Sequence, residues 1–213
     1  MKDIAIYGAG GFGREVACLI RKINEVTPTW KLIGFFDDGK DIGSKNEYGS
    51  ILGGINELNN WDTELSIAIA IASPKIVSLL VSKIKGNNIS FPNIIAPDTT
   101  FLDENNILLG KGNIFCSSCS LSCNISIGDF NIFNGFITIG HDVKISNFNS
   151  FMPAVRVSGE VLIGNNNFFG VSSVILQQIK IANGIVLGAN SVMMRTPKDN
   201  ETYVGNPAKI IKY

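Results

Sequence analysis

The 213-residue sequence predicts two domains, a small α/β domain with a parallel sheet followed by a parallel β-helix built from six-residue repeats. Two observations support this fold class. Up to about residue 95, short apolar runs alternate with helical patterns of apolar residues. Beyond Pro97 the helical pattern disappears and apolar residues recur at every sixth position. We therefore expect a Rossmann-like domain at residues 1–95 and a β-helix with a C-terminal tail at residues 96–213.

The elements of the first domain follow from its apolar runs. Residues 4–7 predict a first strand, which leads through the glycine-rich residues 8–13 into an amphipathic helix. Residues 31–36 predict a second strand and residues 66–72 a third, fully buried one. Pro74 suits the first turn of a second helix. Strands that alternate with helices indicate a parallel sheet.

A period of six residues dominates the second half. From Leu109 to Met193, fifteen positions spaced six apart are all apolar. One inward side chain per six residues suits a short strand plus a corner, and three such units make a triangular coil of eighteen residues. Asparagines recur at this longer period and predict a ladder along the prism, at Asn113, Asn131, Asn149 and Asn167. Because these inward side chains alone do not offset the entropy of ordering the coils, we expect a homo-oligomer.

The charge balance and the N-terminus exclude several partners. The sequence contains eighteen Lys and Arg residues and eighteen Asp and Glu residues, so it has no net charge. Neither nucleic acid nor an anionic membrane surface is therefore favoured as a partner. The apolar stretches fall short of a membrane span, and residues 1–3 lead into a strand instead of a signal peptide. We expect a cytoplasmic protein.

The four cysteines raise the alternative of a zinc site. Cys116, Cys119 and Cys123 are close in sequence, but three cysteines cannot form two separate C-x2-4-C pairs. A fourth ligand is also missing, since the only histidine lies eighteen residues beyond Cys123. Small buried thiols in a reducing compartment explain them better, and we expect no metal.

Three features together resemble a known family: the phase of the repeat, the Gly-His-Asp at residues 140–142, and the ending Tyr-Val-Gly-Asn-Pro-Ala-Lys at 203–209. The chain resembles the left-handed β-helix (hexapeptide-repeat) acyltransferases. With its glycine-rich first half it is similar to bacterial enzymes that N-acetylate nucleotide-linked 4-amino-sugars, and to their relatives that O-acetylate sialic acid. The resemblance implies a homotrimer, acetyl-CoA between neighbouring β-helices, a first domain that binds the nucleotide sugar, and a role in bacterial surface glycan synthesis.

The resemblance also assigns residues. It implies that His141 is the catalytic base, that Asp142 orients it, and that Asn134 lies near the sugar. Some relatives carry a second histidine nine residues after the first, whereas this chain has Ser150, so a hydroxyl or a backbone N–H must polarise the thioester. The positions implied to contact acetyl-CoA are Gly159, Ser150, Val171, Ala189, Pro207, Ala208 and Lys209.

The residues around His141 suit the implied chemistry. An imidazole accepts a proton near neutral pH, as attack by a substrate amine requires, whereas a lone histidine in a repeat can also be a plain surface residue. Asp142 either accepts a hydrogen bond from the ring or is a solvated corner acid. Gly159 falls one coil later and would leave an open pocket with an approachable N–H for an oxyanion.

The loop Gly8-x-Gly10-Gly11-x-Gly13 between strand and helix has the spacing of a phosphate-binding loop. Asp37, followed by Asp38, comes at about the distance expected of a ribose-binding acid. Ala72 and Ser73 are expected at the same sheet edge, although Ser73 can be a helix N-cap alone. Fewer than a hundred residues precede the repeat, too few for a dinucleotide domain, so a UDP- or dTDP-linked sugar fits better than NAD.

Three functions remain open from the sequence. The first is N-acetylation of a nucleotide-linked 4-amino-sugar, which uses both domains. The second is O-acetylation of sialic acid or another sugar, which would use the same base, His141. The third is a non-catalytic nucleotide-sugar sensor, which needs neither His141 nor the C-terminal motif. Lys209, Lys212 and Arg195 either meet phosphate groups of CoA or are solvated.

Overall fold

The computed structural model describes residues 1–211, and its first domain is the predicted α/β unit. Its sheet has six strands in the order β3-β4-β2-β1-β5-β6, and all pairs except β3 with β4 are parallel. The elements are β1 (Lys2–Tyr7), α1 (Gly11–Val26), β2 (Trp30–Phe36), β3 (Lys45–Asn46), β4 (Gly49–Gly53), α2 (Ile55–Asn59), β5 (Leu65–Ile69), α3 (Pro74–Lys83) and β6 (Ile89–Ser90).

The third predicted strand is shorter than expected. β5 ends at Ile69, where its last register partner is Tyr7 of β1. Because β1 ends at Tyr7 and the chain turns at Gly8, residues 70–72 have no strand to pair with, and the expected end at Ala72 is wrong. The sequence analysis also missed the hairpin of β3 and β4, which extends the sheet beyond β2.

The second domain is a left-handed β-helix of very short parallel strands, which confirms the predicted fold class. Each strand pairs with the strand one coil later, for example Phe115 with Phe133 and Leu121 with Ile139. The strands are β7 (Ile94–Ile95), β8 (Thr100–Phe101), β9 (Ile107–Leu109), β10 (Ile114–Phe115), β11 (Ser120–Leu121), β12 (Ile125–Ile127), β13 (Ile132–Phe133), β14 (Thr138–Ile139), β15 (Lys144–Ile145), β16 (Ser150–Phe151), β17 (Arg156–Val157), β18 (Leu162–Ile163), β19 (Phe168–Phe169), β20 (Val174–Ile175), β21 (Lys180–Ile181), β22 (Val186–Leu187) and β23 (Val192–Met193).

These strands form the three faces of a prism. The first face contains β7, β10, β13, β16, β19 and β22; the second contains β8, β11, β14, β17, β20 and β23; the third contains β9, β12, β15, β18 and β21. The chain turns from one face to the next through a residue with a left-handed backbone conformation, as at Phe136 (φ 55°), Asp142 (φ 59°) and Phe148 (φ 58°). A corner residue therefore recurs every six positions and aims its side chain away from the prism axis.

The prism core consists of stacked side chains from successive coils. Phe115, Phe133, Phe151 and Phe169 stack along the first face with ring centroids 4.3, 4.9 and 4.7 Å apart. Offset aromatic stacking adds stability beyond the burial of apolar area. The predicted asparagine ladder is present, and its four members are fully buried. The first three accept hydrogen bonds at Oδ1 from the next member, as in the 2.9 Å bond from the Asn149 N–H to Asn131, and Asn167 Oδ1 accepts from the Ile185 N–H.

The β-helix begins before Leu109, where the period was first detected. Ile95 and Phe101 pair with Phe115 and Leu121, and so belong to an additional coil. This coil is two residues longer than the others because a 3-10 turn, Glu104–Asn106, interrupts it. The insertion breaks the period of six. The first strand of the β-helix begins at Ile94, just before the expected domain boundary at residue 95.

The first domain docks on the β-helix of its own chain. Ile94 and Ile114, on the outer side of the first face, share an apolar core with β1 and α1. Phe130, at the corner between the third and first faces, packs into a second shared core and contacts Phe91 edge-on at 5.1 Å. The first domain therefore covers the first face of the prism.

A short antiparallel hairpin closes the end of the prism. β24 (Thr202–Val204) pairs with β22 and extends the first face, and β25 (Lys209–Ile211) pairs with β24 in the opposite direction. Lys212 lies outside the described residues. Among residues 1–211, no helix has the length and apolarity needed to cross a membrane.

The four cysteines are free thiols, of which Cys119 is buried and the other three are half-buried. Burial raises the pKa of Cys116 to about 12 and that of Cys119 to about 11. Within residues 1–211, no group of three or more His, Cys, Asp or Glu side chains is arranged to hold a metal.

We expect Cys116 and Cys119 to resist iodoacetamide at pH 8 in the folded protein, because the reactive thiolate is scarce and access is restricted. Both should react fully in the unfolded protein. Mass spectrometry of the two peptides measures the difference, and fast labelling of the native protein would contradict the burial described here.

Candidate active site

His141 lies at the corner between the second and third faces, directly after β14. Its side chain is 55 % exposed. The Glu160 N–H one coil later donates to the His141 carbonyl at 2.8 Å, which fixes the backbone below the ring. This corner lies opposite the first face, so in one chain the prism separates His141 from the docked first domain.

Asp142 is the hydrogen-bond partner of the imidazole. Its Oδ2 lies 2.7 Å from His141 Nδ1, and its Oδ1 accepts a bond from Asn124 Nδ2 at 3.2 Å. Adjacent residues on a strand would diverge, but the left-handed corner at Asp142 turns the carboxylate back to the ring. The hydrogen bond from His141, followed by that from Asn124, lowers the pKa of the Asp142 carboxyl. An ionised Asp142 accepts from Nδ1–H, so Nε2 of the neutral ring carries the lone pair.

Gly159 lies beneath the imidazole ring. A Cβ atom at residue 159 would lie 2.6 Å from both Cε1 and Nε2 of His141. The space freed by this glycine is therefore filled by the ring itself, whereas the sequence analysis expected an open pocket there. Glycine is required at this position because the ring and the backbone approach closely.

We expect Gly159→Ala to lower kcat by about 10-fold or more, since the methyl group displaces Nε2 from its position and misplaced catalytic groups lose much of their effect. The thermal unfolding midpoint should change little, because the ring is exposed and can move. Steady-state kinetics and a melting curve check both parts; wild-type kcat in a folded variant would contradict this role of Gly159.

The glycine-rich loop lies between β1 and α1, and its glycines differ in their surroundings. A Cβ at Gly8 would meet the Ala70 carbonyl oxygen at 2.7 Å, and one at Gly13 would meet the Gly8 carbonyl oxygen at 1.9 Å, so both are required for packing. Gly10 and Gly11 have open space at the Cβ position. They border a cleft of about 370 Å³ that also contains Asp37 and Asp38.

The two aspartates are hydrogen-bonded within the protein. Asp37 accepts from the Ala9 and Gly39 N–H groups at 2.8 and 2.9 Å. Asp38 accepts from the Tyr7 hydroxyl at 2.7 Å and from the Ile55 N–H at 2.9 Å. Burial and the bond to Asp38 raise the pKa of the Tyr7 hydroxyl, which therefore stays protonated and donates. The sequence analysis missed that Asp37 occupies a loop N–H that a phosphate would otherwise use.

Three predicted sugar-binding residues lie outside this cleft. Ala70 and Ile71 line it, whereas Ala72 and Ser73 line a separate cavity of about 500 Å³ between the start of α3 and the β-helix. Ser73 is the N-cap residue of α3 but makes no side-chain cap. Asn134 lines a third cavity, between α1 and the β-helix, and is not beside His141 of its own chain.

The residues expected to contact acetyl-CoA are spread over the prism. Ser150, on the first face, is 2 % exposed and is therefore not beside His141 of the same chain. Val171 and Ala189 stack at the corner between the first and second faces, where the Ala189 N–H lies close to Gly170. Pro207, Ala208 and Lys209 belong to the closing hairpin, and the Ala208 N–H donates to Val192 at 2.9 Å.

The comparisons with known proteins match both domains. Residues 3–84 match the PglD N-terminal domain family. The acetyltransferase domain of PglB from Neisseria gonorrhoeae FA1090 is 26 % identical, with a TM-score of 0.89 over 99 % of this chain and 100 % of that chain. A second structure of that domain contains acetyl coenzyme A. WeeI from Acinetobacter baumannii AYE is 27 % identical, with a TM-score of 0.88 over 99 % of this chain and 100 % of that one.

A more distant structure shares the fold. PerB from Caulobacter crescentus, solved with CoA and GDP-perosamine, is 22 % identical, with a TM-score of 0.87 over 100 % of this chain and 98 % of that one. No curated protein sequence gives a significant match. Both the first domain and the two-domain architecture are therefore similar to those of left-handed β-helix acetyltransferases that carry a PglD-type N-terminal domain.

Proposed function

We propose that this protein transfers the acetyl group of acetyl-CoA to the amine of a nucleotide-linked 4-amino-sugar, with His141 as the general base. The observation that carries the proposal is the pairing of His141 Nδ1 with Asp142 at 2.7 Å, which leaves Nε2 free as an acceptor. Acetyl-CoA and nucleotide-linked sugars are metabolites of the cytoplasm, so we propose that the reaction takes place in the cytoplasm.

The proposed reaction is a direct acyl transfer. The amine nitrogen attacks the thioester carbonyl carbon and forms the C–N bond, while Nε2 of His141 accepts the proton that the nitrogen loses. The tetrahedral intermediate then collapses, the C–S bond breaks, and the proton passes from the imidazolium to the departing CoA sulfur. Asp142 stabilises the imidazolium and holds its orientation throughout.

The cleft at the glycine loop is the proposed site of the nucleotide. Gly10 and Gly11 stand at the N-terminus of α1, where backbone N–H groups and the helix dipole favour a diphosphate. Asp37 and Asp38 repel phosphate but accept hydrogen bonds from ribose hydroxyls or base N–H groups. We therefore propose that the nucleoside end lies against the aspartates and the diphosphate against the two glycines.

We also propose that three chains assemble into a homotrimer, which suits this division of labour. The first domain covers the first face of its own prism, whereas His141 lies at the opposite corner. A sugar held by one chain therefore reaches the His141 of a neighbouring chain. We propose that the site is shared, with acetyl-CoA in the cleft between two β-helices, near Val171, Ala189 and the closing hairpin of one of them. Asn134 is proposed to face that cleft from the neighbouring chain, whereas Ser150, buried on the first face, is not proposed to contact acetyl-CoA.

The primary test offers the protein acetyl-CoA with UDP-, dTDP- and GDP-linked 4-amino-sugars, and separately sialic acid, and follows acetylated product by mass spectrometry. We expect turnover on an amine acceptor and none without acceptor. Turnover on hydroxyl acceptors alone would overturn N-acetylation in favour of O-acetylation, and no turnover would favour the sensor.

A charge introduced at Gly11 tests the nucleotide site. Asp suits the first turn of a helix, and a Cβ at residue 11 has no protein atom within 4 Å, so Gly11→Asp should fold normally yet repel a diphosphate. We expect the KM for the nucleotide sugar to rise about 10-fold or more, since a lost charged contact has this size, with the KM for acetyl-CoA unchanged. The isosteric Gly11→Asn is the neutral control. Equal effects of both variants would indicate crowding instead of phosphate binding.

Complementation tests the shared site. Gly11→Asp and His141→Ala chains are mixed, unfolded and refolded together, so that mixed trimers form. With the nucleotide sugar kept well below the KM of Gly11→Asp, we expect activity above that of either variant refolded alone, because some sites then combine an intact cleft with an intact histidine. Absence of any gain, with mixed trimers present by mass spectrometry, would contradict sharing.

A further inference from the structure

We propose that Asn124 is a positioning residue for the His141–Asp142 pair: from one coil earlier, its amide fixes the Asp142 carboxylate and thereby the imidazole. The inference rests on the proposed role of His141 as the base. The hydrogen bond of the Asn124 side chain goes to Asp142 and not to the ring, so Asn124 acts through Asp142.

The hydrogen bonds divide the two carboxylate oxygens of Asp142 between different partners. Oδ2 faces His141 Nδ1 at 2.7 Å, and Oδ1 accepts from Asn124 Nδ2 at 3.2 Å. A carboxylate held at one oxygen can still rotate about the Cβ–Cγ bond. A second donor on the other oxygen removes that freedom, so the plane of the carboxylate and the direction offered to Nδ1 are both defined.

The backbone keeps the three residues in register. The Asp142 N–H donates to the Cys123 carbonyl at 3.0 Å, which ties the corner at residues 141–142 to the corner at 123–124. Asn124 and Asp142 share the left-handed corner conformation, with φ of 54° and 59°. Both side chains therefore leave the prism in the same direction, stacked one coil apart.

Exposure explains why a positioning residue is needed here. The His141 and Asp142 side chains are 55 % and 49 % exposed, so close packing does not hold either one in a single rotamer. Water competes for an exposed carboxylate, and a competing rotamer of Asp142 would leave Nδ1 unpaired. With Nδ1 unpaired, the proton moves freely between the ring nitrogens, and a fraction of the rings presents Nε2–H, which cannot accept a proton.

The alternative is that Asn124 serves the backbone only. Asparagine tolerates the left-handed region better than most residues, and Asn190 and Asn200 adopt it too, with φ of 56° and 58°. This alternative predicts that any residue suited to that conformation replaces Asn124. Aspartate is such a residue, and it has the size of asparagine but cannot donate from its side chain when ionised.

The sole histidine of the chain makes the test direct. In protein labelled with ¹⁵N-histidine, NMR shows a single imidazole, whose two nitrogen shifts report the fraction of each neutral tautomer above its titration. The variants are Asn124→Asp and Asn124→Ala, and Asn200→Ala is the control for loss of an exposed corner asparagine. Steady-state kinetics are measured on the same samples.

We expect Nδ1–H to dominate in the wild type and in Asn200→Ala. In both Asn124 variants the Nε2–H fraction should rise. The kcat should fall about threefold to tenfold, the size expected for loss of an exposed hydrogen bond to a charged group, and the KM for acetyl-CoA should stay unchanged. Wild-type tautomer fractions and kcat in Asn124→Asp would overturn the proposal in favour of the backbone alternative.

The NMR readout separates this proposal from the proposed function. If His141→Ala retains activity, His141 is not the base, yet the tautomer fractions still decide whether Asn124 positions the pair. If His141→Ala is inactive while Asn124→Asp leaves the tautomer unchanged, only the role of Asn124 is overturned.

Discussion

Replacing His141 with alanine should lower kcat by about 10²–10⁴-fold, the usual contribution of a general base. The side chain is exposed and the backbone bond from Glu160 to the His141 carbonyl does not depend on it, so the fold should persist. Initial rates at saturating substrate measure the effect, and circular dichroism checks the fold.

Gln177→Ala is the matched control for this variant. Gln177 is exposed and occupies the position equivalent to His141 two coils later on the same corner. Its removal should leave kcat within about twofold, in line with surface substitutions generally. If His141→Ala also stayed within a few-fold of the wild type, water or another group would have to take the proton.

Replacing Asn149 with alanine should destabilise the chain by about 3–5 kcal/mol, because several buried groups lose their partners together. Asn149 Oδ1 accepts from the N–H and the Nδ2 of Asn167, and its own Nδ2 donates to Asn131 Oδ1 and to the Gly164 carbonyl. The side chain is fully buried, so water cannot replace these bonds without entering the prism. Denaturant unfolding at fixed protein concentration measures the loss.

Asn200→Ala again supplies the comparison, since Asn200 is an exposed corner residue at φ 58°. Its loss should cost no more than about 1 kcal/mol. Equal destabilisation by both variants would mean that the ladder contributes nothing beyond the preference of asparagine for its local backbone.

The β-helix was predictable because its constraint is local and repeated. One inward residue in six must be apolar, so Phe115 and Ile139 obey the same rule and the period shows without any knowledge of contacts. The period also predicted the ladder at Asn131 and Asn149. The first coil escaped detection because the turn at residues 104–106 adds two residues, which shifts Ile95 and Asn93 out of the six-residue period. Asn93 nevertheless continues the asparagine ladder in the structure.

The α/β domain was harder to delimit from sequence. Apolarity persists through residues 70–72, but a strand ends where its neighbour ends, and the end of β1 is set by the turn at Gly8. The hairpin of β3 and β4 carries little apolar alternation and gives no signal. The placing of Ala72 and Ser73 in a separate cavity follows from how the domain docks, which no local pattern encodes.

The pairing of His141 with Asp142 was predictable from the sequence, whereas the contacts around this pair were not. The glycine corner and the resemblance pointed to His141 and Asp142, and the left-handed corner supplies the reason why neighbouring side chains meet. Asn124 was missed, although the eighteen-residue period that pairs it with Asp142 was already known. The hydrogen bond from the Ala9 N–H to Asp37 depends on the path of two loops, so the spacing of residues in the sequence does not predict it.

The closing hairpin has a consequence for how these molecules behave in solution. A prism of stacked coils resembles a short segment of fibril, because its last coil presents unpaired N–H and C=O groups to any similar edge. β25 runs antiparallel to β24 at that end, so the outermost strand no longer matches the parallel coils of another molecule. On the first face, the reversal of direction therefore disfavours end-to-end pairing with the parallel coils of another molecule.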